Sequence, residues 1–482
     1  MSLLHRRTVA RALLVGACVV LPSIARSDGP SSSPPPRLVV SAPRIAVERY
    51  SLPNGLDVIL HEDHRAPLVA VNLWYHVGSK DEPDHRNGFA HLFEHLMFQG
   101  SRHVEEDTFF LHLEQAGASG INGTTSDDRT NYFETVPSGR LNLALWLESD
   151  RMAFLLDHVN QATFESQRQV VLNERRQTYE NAPYGNVHTF LREAVYPVGH
   201  PYHNTTIGTP ADLNAARLED VQQFFRTWYV PDNASLVIAG DIDPAEARRL
   251  VARYFGPIPR GNAPLRRTAP APVRLACERR IAVEAGVELP QVHIAWPTPA
   301  FFAPGDAELD LVANVLTNGR TSRLHRRMVH EMQVAQDVTA YQASGQLGST
   351  FEVVVTGRSG QTPERLLAVI DEELARLRSM PGDVAEIERA RNDIVSSMIF
   401  DVERVGSRAN RLNTYAHYVH DPEWIGNDLA RYQHPGPNEV QTAVREYVPA
   451  DRRVVVLVYP TTGAPASGRL REPAALTMEC AR

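Results

Sequence analysis

Val221-Gln222, Tyr229-Val230-Pro231 and Leu236-Val237-Ile238 recur in the same order, with one gap, as Val440-Gln441, Tyr447-Val448-Pro449 and Val455-Val456-Leu457. An echo that covers a helix end, a turn and an apolar strand marks two copies of one structural plan. It restricts the chain to an α+β architecture of two homologous domains, each a mixed sheet with helices packed on one side. Length agrees, because 482 residues exceed what one ordinary core supports. The division expected is residues 44–256 for the first domain, a Pro- and Arg-rich linker at 257–274, and 275–460 for the second domain. Residues 461–482, rich in Ala, Pro and Gly, are expected to be loosely ordered.

Inside the first copy, Asn54-Gly55 between two apolar stretches predicts a hairpin, and Leu68–His76 alternates as a strand. Helices are expected at about 107–116, 141–157, 163–182 and 218–228, with strands near Asn122, at 130–136 and at 234–239. The second copy repeats this in outline: strands at 291–296 and 350–355, and helices from 307, 363 and 384.

Residues 1–27 read as an export signal, with His5-Arg6-Arg7 and Arg11 before the apolar run Ala12–Leu21 and small residues near Ala25. That run is too short to span a bilayer, so no transmembrane span is expected. Export to the periplasm is the expectation; Val15-Gly16-Ala17-Cys18 faintly resembles a lipid-attachment box, which leaves an anchored or extracellular form as an alternative. Residues 28–43, with Ser31-Ser32-Ser33-Pro34-Pro35-Pro36, form a flexible spacer. Beyond the signal the chain carries 45 basic against 57 acidic residues, a balance that argues against nucleic acid as partner. Cys277 and Cys480 are the cysteines that outlast signal removal; a disulfide and two separate thiols are both open.

Chemistry concentrates in Gly88-Phe89-Ala90-His91-Leu92-Phe93-Glu94-His95-Leu96-Met97-Phe98. On a helix, His91 and His95 stand at i and i+4, roughly 6 Å apart at Cβ. Two imidazoles so placed can share a zinc ion at about 2.0–2.1 Å each. Glu94 sits beside the pair, poorly placed to be a ligand and well placed to act as general base toward a zinc-bound water. His-x-x-Glu-His inverts the commoner His-Glu-x-x-His metallopeptidase motif. Phe89, Leu92, Phe93 and Leu96 form the apolar face, and Phe93 and Phe98 are expected in the core. A catalytic zinc site wants a third protein ligand, and Glu174 in Val170-Val171-Leu172-Asn173-Glu174-Arg175-Arg176 is the candidate.

The motif helix, continued by Gln99-Gly100, resembles that of the pitrilysin/insulinase family of zinc peptidases. So do the segments around Glu174 and Asn181-Ala182-Pro183-Tyr184-Gly185, the lead-in Gly78-Ser79-Lys80-Asp81-Glu82, and His200-Pro201-Tyr202. The resemblance extends from about Val47 to Pro460. It implies one zinc ion held by His91, His95 and Glu174, hydrolysis of extended peptides with Glu94 as base, and an edge strand at Asn122, Gly123 and Thr124 on which the peptide lies. It also places Gln167, where the family often has Glu, as a supporting hydrogen-bond partner of the site. The type is that of exported bacterial two-domain chains resembling the mitochondrial processing peptidase subunits, each forming half of a clam-like chamber.

The second copy departs from the family. Self-sufficient members carry an Arg and a Tyr, seven residues apart, and those positions hold Val329 and Gln336 here. The resemblance then implies a homodimer, or a heterodimer with a homologous chain that supplies the Arg/Tyr pair. The alternatives are a non-catalytic structural or assembly subunit, and a zinc-containing relative that binds peptides without cutting them.

Overall fold

The structure, a computed structural model, describes residues 40–262, 266, 268–471 and 476–479. The expected signal segment, most of the spacer, part of the linker and Cys480 lie outside the described residues.

Six strands form the first sheet: β1 (Glu48–Ser51), β2 (Asp57–Glu62), β3 (Leu68–Tyr75), β4 (Ser119–Thr125), β5 (Thr130–Pro137) and β6 (Ala234–Gly240), in the order β1-β2-β6-β3-β5-β4. The second sheet holds β7 (Glu278–Ala285), β8 (Gln291–Thr298), β9 (Ala335–Ala343), β10 (Ser349–Gly357), β11 (Val454–Pro460), β12 (Arg469–Leu470) and β13 (Leu476–Glu479). Its order is β12-β7-β11-β8-β10-β9, with β13 also on β7. The runs β2-β6-β3-β5-β4 and β7-β11-β8-β10-β9 are the same plan drawn twice. In each run the first pair is parallel and the others antiparallel. The apolar strands of the sequence echo, β6 and β11, occupy the same interior place in the two sheets.

Both strands are largely apolar on both sides of the pleat because both faces of each sheet are buried. Leu236 and Ile238 on β6 pack with the first half's own helices, while Val237 and Ala239 join Ile59 and Ala70 on the opposite face. That opposite face is covered by a helix of the second half, Val405–Tyr418, through Ala409, Leu412 and Ala416. The exchange is mutual. The first half's helix Val187–Val195 places Val187, Leu191 and Val195 against Ile281, Val283, Val454, Val456 and Val458 of the second sheet.

Polar anchors fix the register of the first crossing. Asn413 Nδ2 donates to the carbonyl and side-chain oxygens of Asn72 at 2.9 Å, and Ser235 Oγ donates to Asn413 Oδ1 at 2.6 Å. Arg408, 3% exposed, pairs with Asp63 and donates to the carbonyl oxygens of Val402 and Glu403.

Composition misleads at the C-terminal tail. Instead of running loosely it adds β12 and β13 to β7, with Glu479 opposite Glu278. On the way it clamps the first half, where Tyr184 N donates to Ala466 O and Asn186 N to Ser467 O. Cys277, adjacent to β7, is disulfide-bonded. Backbone pairing to an open sheet edge outweighs the low apolar content of the tail. Among the described residues no helix is long and apolar enough to cross a membrane.

Candidate metal centre

The motif helix spans Phe89–Leu96 and begins at Gly88, whose φ of 99° falls in the left-handed region that favours glycine. A Cβ there would also meet the carbonyl oxygen of Ile207 at 2.8 Å. The buried Glu82 carboxylate caps this end, accepting from Gly88 N and Ala90 N at 2.9 Å each. This gives the lead-in segment a structural reason. One face of the helix is anchored by Phe89 and Phe93, whose rings pack on Phe224, Phe225 and Tyr229. The other face presents His91 and His95, ring centroids 4.7 Å apart.

Glu174 comes from the helix Gln161–Arg175, capped by Asn160 Oδ1 on the N–H groups of Ala162 and Thr163. Directly after Glu174 the backbone widens into a π-helical turn, Arg176–Glu180, a distortion frequent at functional sites. Arg175 turns away to donate to Gly208 O at 2.6 Å, so Glu174 is not neutralised by the arginine beside it.

Glu174 Oε1 lies 3.7 Å from His91 Nε2, and its Oε2 lies 3.2 Å from His95 Nε2. All three ligand atoms fall within 4.8 Å of one another, and among the described residues this is the one group of three His, Cys, Asp or Glu so placed. Ligands about 2.0–2.1 Å from a tetrahedral ion stand about 3.3 Å apart, so this donor set fits zinc and leaves a fourth position open. Burial, helped by the neighbouring His95, pushes the His91 imidazole down to about 4, which keeps it neutral, the form that ligates a metal. The hydrogen bond with His95 holds the Glu174 carboxyl below its usual range.

Glu94 stands next to this group. Burial raises its carboxyl above the usual glutamate value, and Thr125 Oγ1 donates to its Oε2 at 2.7 Å. Thr125 ends β4, the outermost strand of the first sheet. Asn122, Gly123 and Thr124 pair on one side with Phe133, Tyr132 and Asn131 of β5, and the other side is an open edge. Gly123 is buried against the motif helix: an added Cβ would meet Glu94 Cγ at 3.0 Å and the rings of Phe98 and Tyr132 at 3.1 Å. Alanine needs these neighbours to yield only tenths of an ångström, whereas a branched side chain must displace Glu94. Gly123→Ala is therefore expected to keep near-native kcat/KM on a peptide substrate, and Gly123→Val to lose about 10²-fold, the cost of a 1 Å misplacement.

Two expectations change here. Phe98 is only half-buried; it stacks on the exposed Phe110 at 4.7 Å and forms an aromatic rim beside Gly123, while Phe93 is core as expected. Gln167 is buried two turns before Glu174 but makes no hydrogen bond to the three side chains, and His91 Nδ1 is buried without a partner. Val329 lies in the segment His325–Glu331, and Gln336 is exposed on β9. Thr125 follows Thr124 in the resembling edge-strand segment, but its tie to Glu94 is a through-space contact across 31 residues that no local pattern records.

The family model described as "Insulinase (Peptidase family M16)" matches residues 57–209, and that described as "Peptidase M16 inactive domain" matches residues 215–394. The chain belongs to peptidase family M16. The zinc protease PqqE of Helicobacter pylori is 27% identical over 388 residues, 79% of this chain and 84% of that protein. The mitochondrial-processing peptidase subunit beta of Lentinula edodes is 24% identical over 379 residues, 74% of this chain and 78% of that one. Among solved M16-like folds, a protease from Helicobacter pylori superposes with a TM-score of 0.81 at 25% identity, covering 86% of this chain and all of that one. The M16 peptidase match contains His91, His95, Glu94 and Glu174, and the match named as inactive has no such group among its described residues.

Proposed function

We propose that this M16 chain is an exported zinc endopeptidase that cuts extended peptides. The observation that carries the reading is the convergence of His91, His95 and Glu174 beside Glu94 and an open strand edge. His91, His95 and Glu174 hold the metal, which when bound supplies a Lewis acid that polarises the scissile carbonyl and lowers the pKa of water toward about 7. Glu94 takes the proton of the attacking water and returns it to the leaving amine. Thr125 fixes one oxygen of Glu94, so the other is the one presented to water. The peptide lies along β4, its backbone pairing with Asn122, Gly123 and Thr124 largely regardless of sequence.

The first half is the catalytic domain and the second its homologous partner within the chain. Val329 and Gln336 supply neither a guanidinium nor a phenol, so the functional particle is a pair of two-domain chains closing a chamber. The mate is a second copy or a homologous chain bearing an Arg and a Tyr. The name of the fungal relative, a subunit, supports this arrangement.

The test is metal analysis and quenched-peptide cleavage on the purified chain, alone and with the homologous partner. Wild type is expected to hold one zinc and cut; His95→Ala is expected to lose zinc and cleavage together. A zinc-loaded wild type that binds peptides and cuts none, even with its partner, would overturn the peptidase reading in favour of a peptide-binding relative.

A further inference from the structure

Past the end of β4 the chain turns through Ser126–Arg129, and this turn forms one wall of a 430 Å³ cavity between the two halves. Arg129 Nη1 donates to Thr124 O at 2.8 Å, Thr124 Oγ1 at 2.5 Å and Asn131 Oδ1 at 3.1 Å, all uncharged acceptors. Its guanidinium lies over the Trp74 ring, 5.2 Å from the centroid. Among the described residues no carboxylate comes within 4.0 Å of it.

The acids around the cavity have partners of their own. Arg192 donates to Asp127, Asp128 has Lys80 at 3.5 Å and the Tyr202 hydroxyl at 2.5 Å, and Asp401 has Arg411 at 3.6 Å. Glu352, on the second sheet's wall, accepts from the Tyr341 and Thr350 hydroxyls. Glu94 and Asp128 act on the Arg129 guanidinium only from farther off, and a largely buried guanidinium with no carboxylate in contact gains from a ligand that supplies one. The acid on the opposite wall disfavours a polyanion and leaves room for a single negative group at the Arg129 end.

We propose that Arg129 is the recognition residue for a carboxylate on the bound peptide, received in this cavity where β4 ends. The inference rests on the reading of β4 as the substrate strand. A peptide presents a carboxylate as its free C-terminus or as an Asp or Glu side chain, and Arg129 meets either with the same charge-assisted hydrogen bonds.

The experiment is fluorescence anisotropy on the zinc-loaded Glu94→Gln chain, which cannot consume the probe. Three N-terminally labelled decapeptides of one apolar sequence are compared: a free C-terminal acid, its amide, and an amide ending in Glu. At least one carboxylate-bearing peptide is expected to bind about tenfold or more tighter than the plain amide, and whichever gains names the source. Adding Arg129→Gln should bring that peptide down to the amide's affinity and leave the amide unchanged, and Arg129→Lys should keep part of the preference. Equal binding of all three peptides would overturn the inference alone. So would an equal loss for all three in Arg129→Gln, since that is a structural effect through Thr124. Absence of binding by any peptide would overturn the substrate-strand reading and this inference with it.

Discussion

Glu94→Gln is expected to cut peptides about 10²–10⁴-fold more slowly than wild type while holding the same zinc. Glutamine keeps the shape of the side chain and can still meet the Thr125 hydroxyl, so the packing against Gly123 is preserved. What it cannot do is accept and return a proton. Glu94 is outside the group whose ligand atoms converge, so metal content has no reason to fall. The measurement is single-turnover cleavage of a quenched peptide beside zinc quantification on the same samples. Wild-type rates in the variant would remove Glu94 from the chemistry. A parallel loss of zinc would make it a supporter of the metal site instead.

Arg408→Met is expected to destabilise the whole chain by about 3–5 kcal/mol, read as a lower midpoint in denaturant titration. Methionine replaces the buried stem but leaves Asp63 without this partner and the carbonyl oxygens of Val402 and Glu403 without a donor. Asp63 retains Arg65, whose hydrogen bond is the main reason its carboxyl lies well below the usual range, with Arg408 adding to it against the cost of burial. A carboxyl so depressed stabilises the fold at neutral pH, and that contribution is lost as pH falls below the usual carboxylate range. The difference between wild type and Arg408→Met should accordingly shrink in acid. Arg408→Met combined with Asp63→Leu should recover part of the loss, since the carboxylate that lost its inner partner is then gone.

The two-fold plan was legible because β6 and β11 must be apolar on both faces, and such strands stand out in any sequence. The convergent group was legible in two pieces, His91 with His95 by helical spacing and Glu174 by resemblance. What brings them together, the packing of the motif helix on the helix Gln161–Arg175, is set by tertiary contact. The helices Val187–Val195 and Val405–Tyr418 were not foreseen. The second carries Arg408, Asn410, Asn413 and His417 among its residues, and their polarity hides an inward face on which Arg408 and Asn413 meet Asp63 and Asn72, over 300 residues away. The tail misled for the opposite reason: its composition is that of a loose end, but its backbone found an edge to pair with.

The exchanged helices have a consequence for how the chain is made. The first sheet is complete once residue 240 has been synthesised, but its face bearing Ile59, Ala70, Val237 and Ala239 stays bare until Val405–Tyr418 emerges. A chain that grows from its N-terminus thus carries an open apolar surface for about a third of its synthesis, from residue 240 to residue 405. It reaches its native packing only near the end of its synthesis.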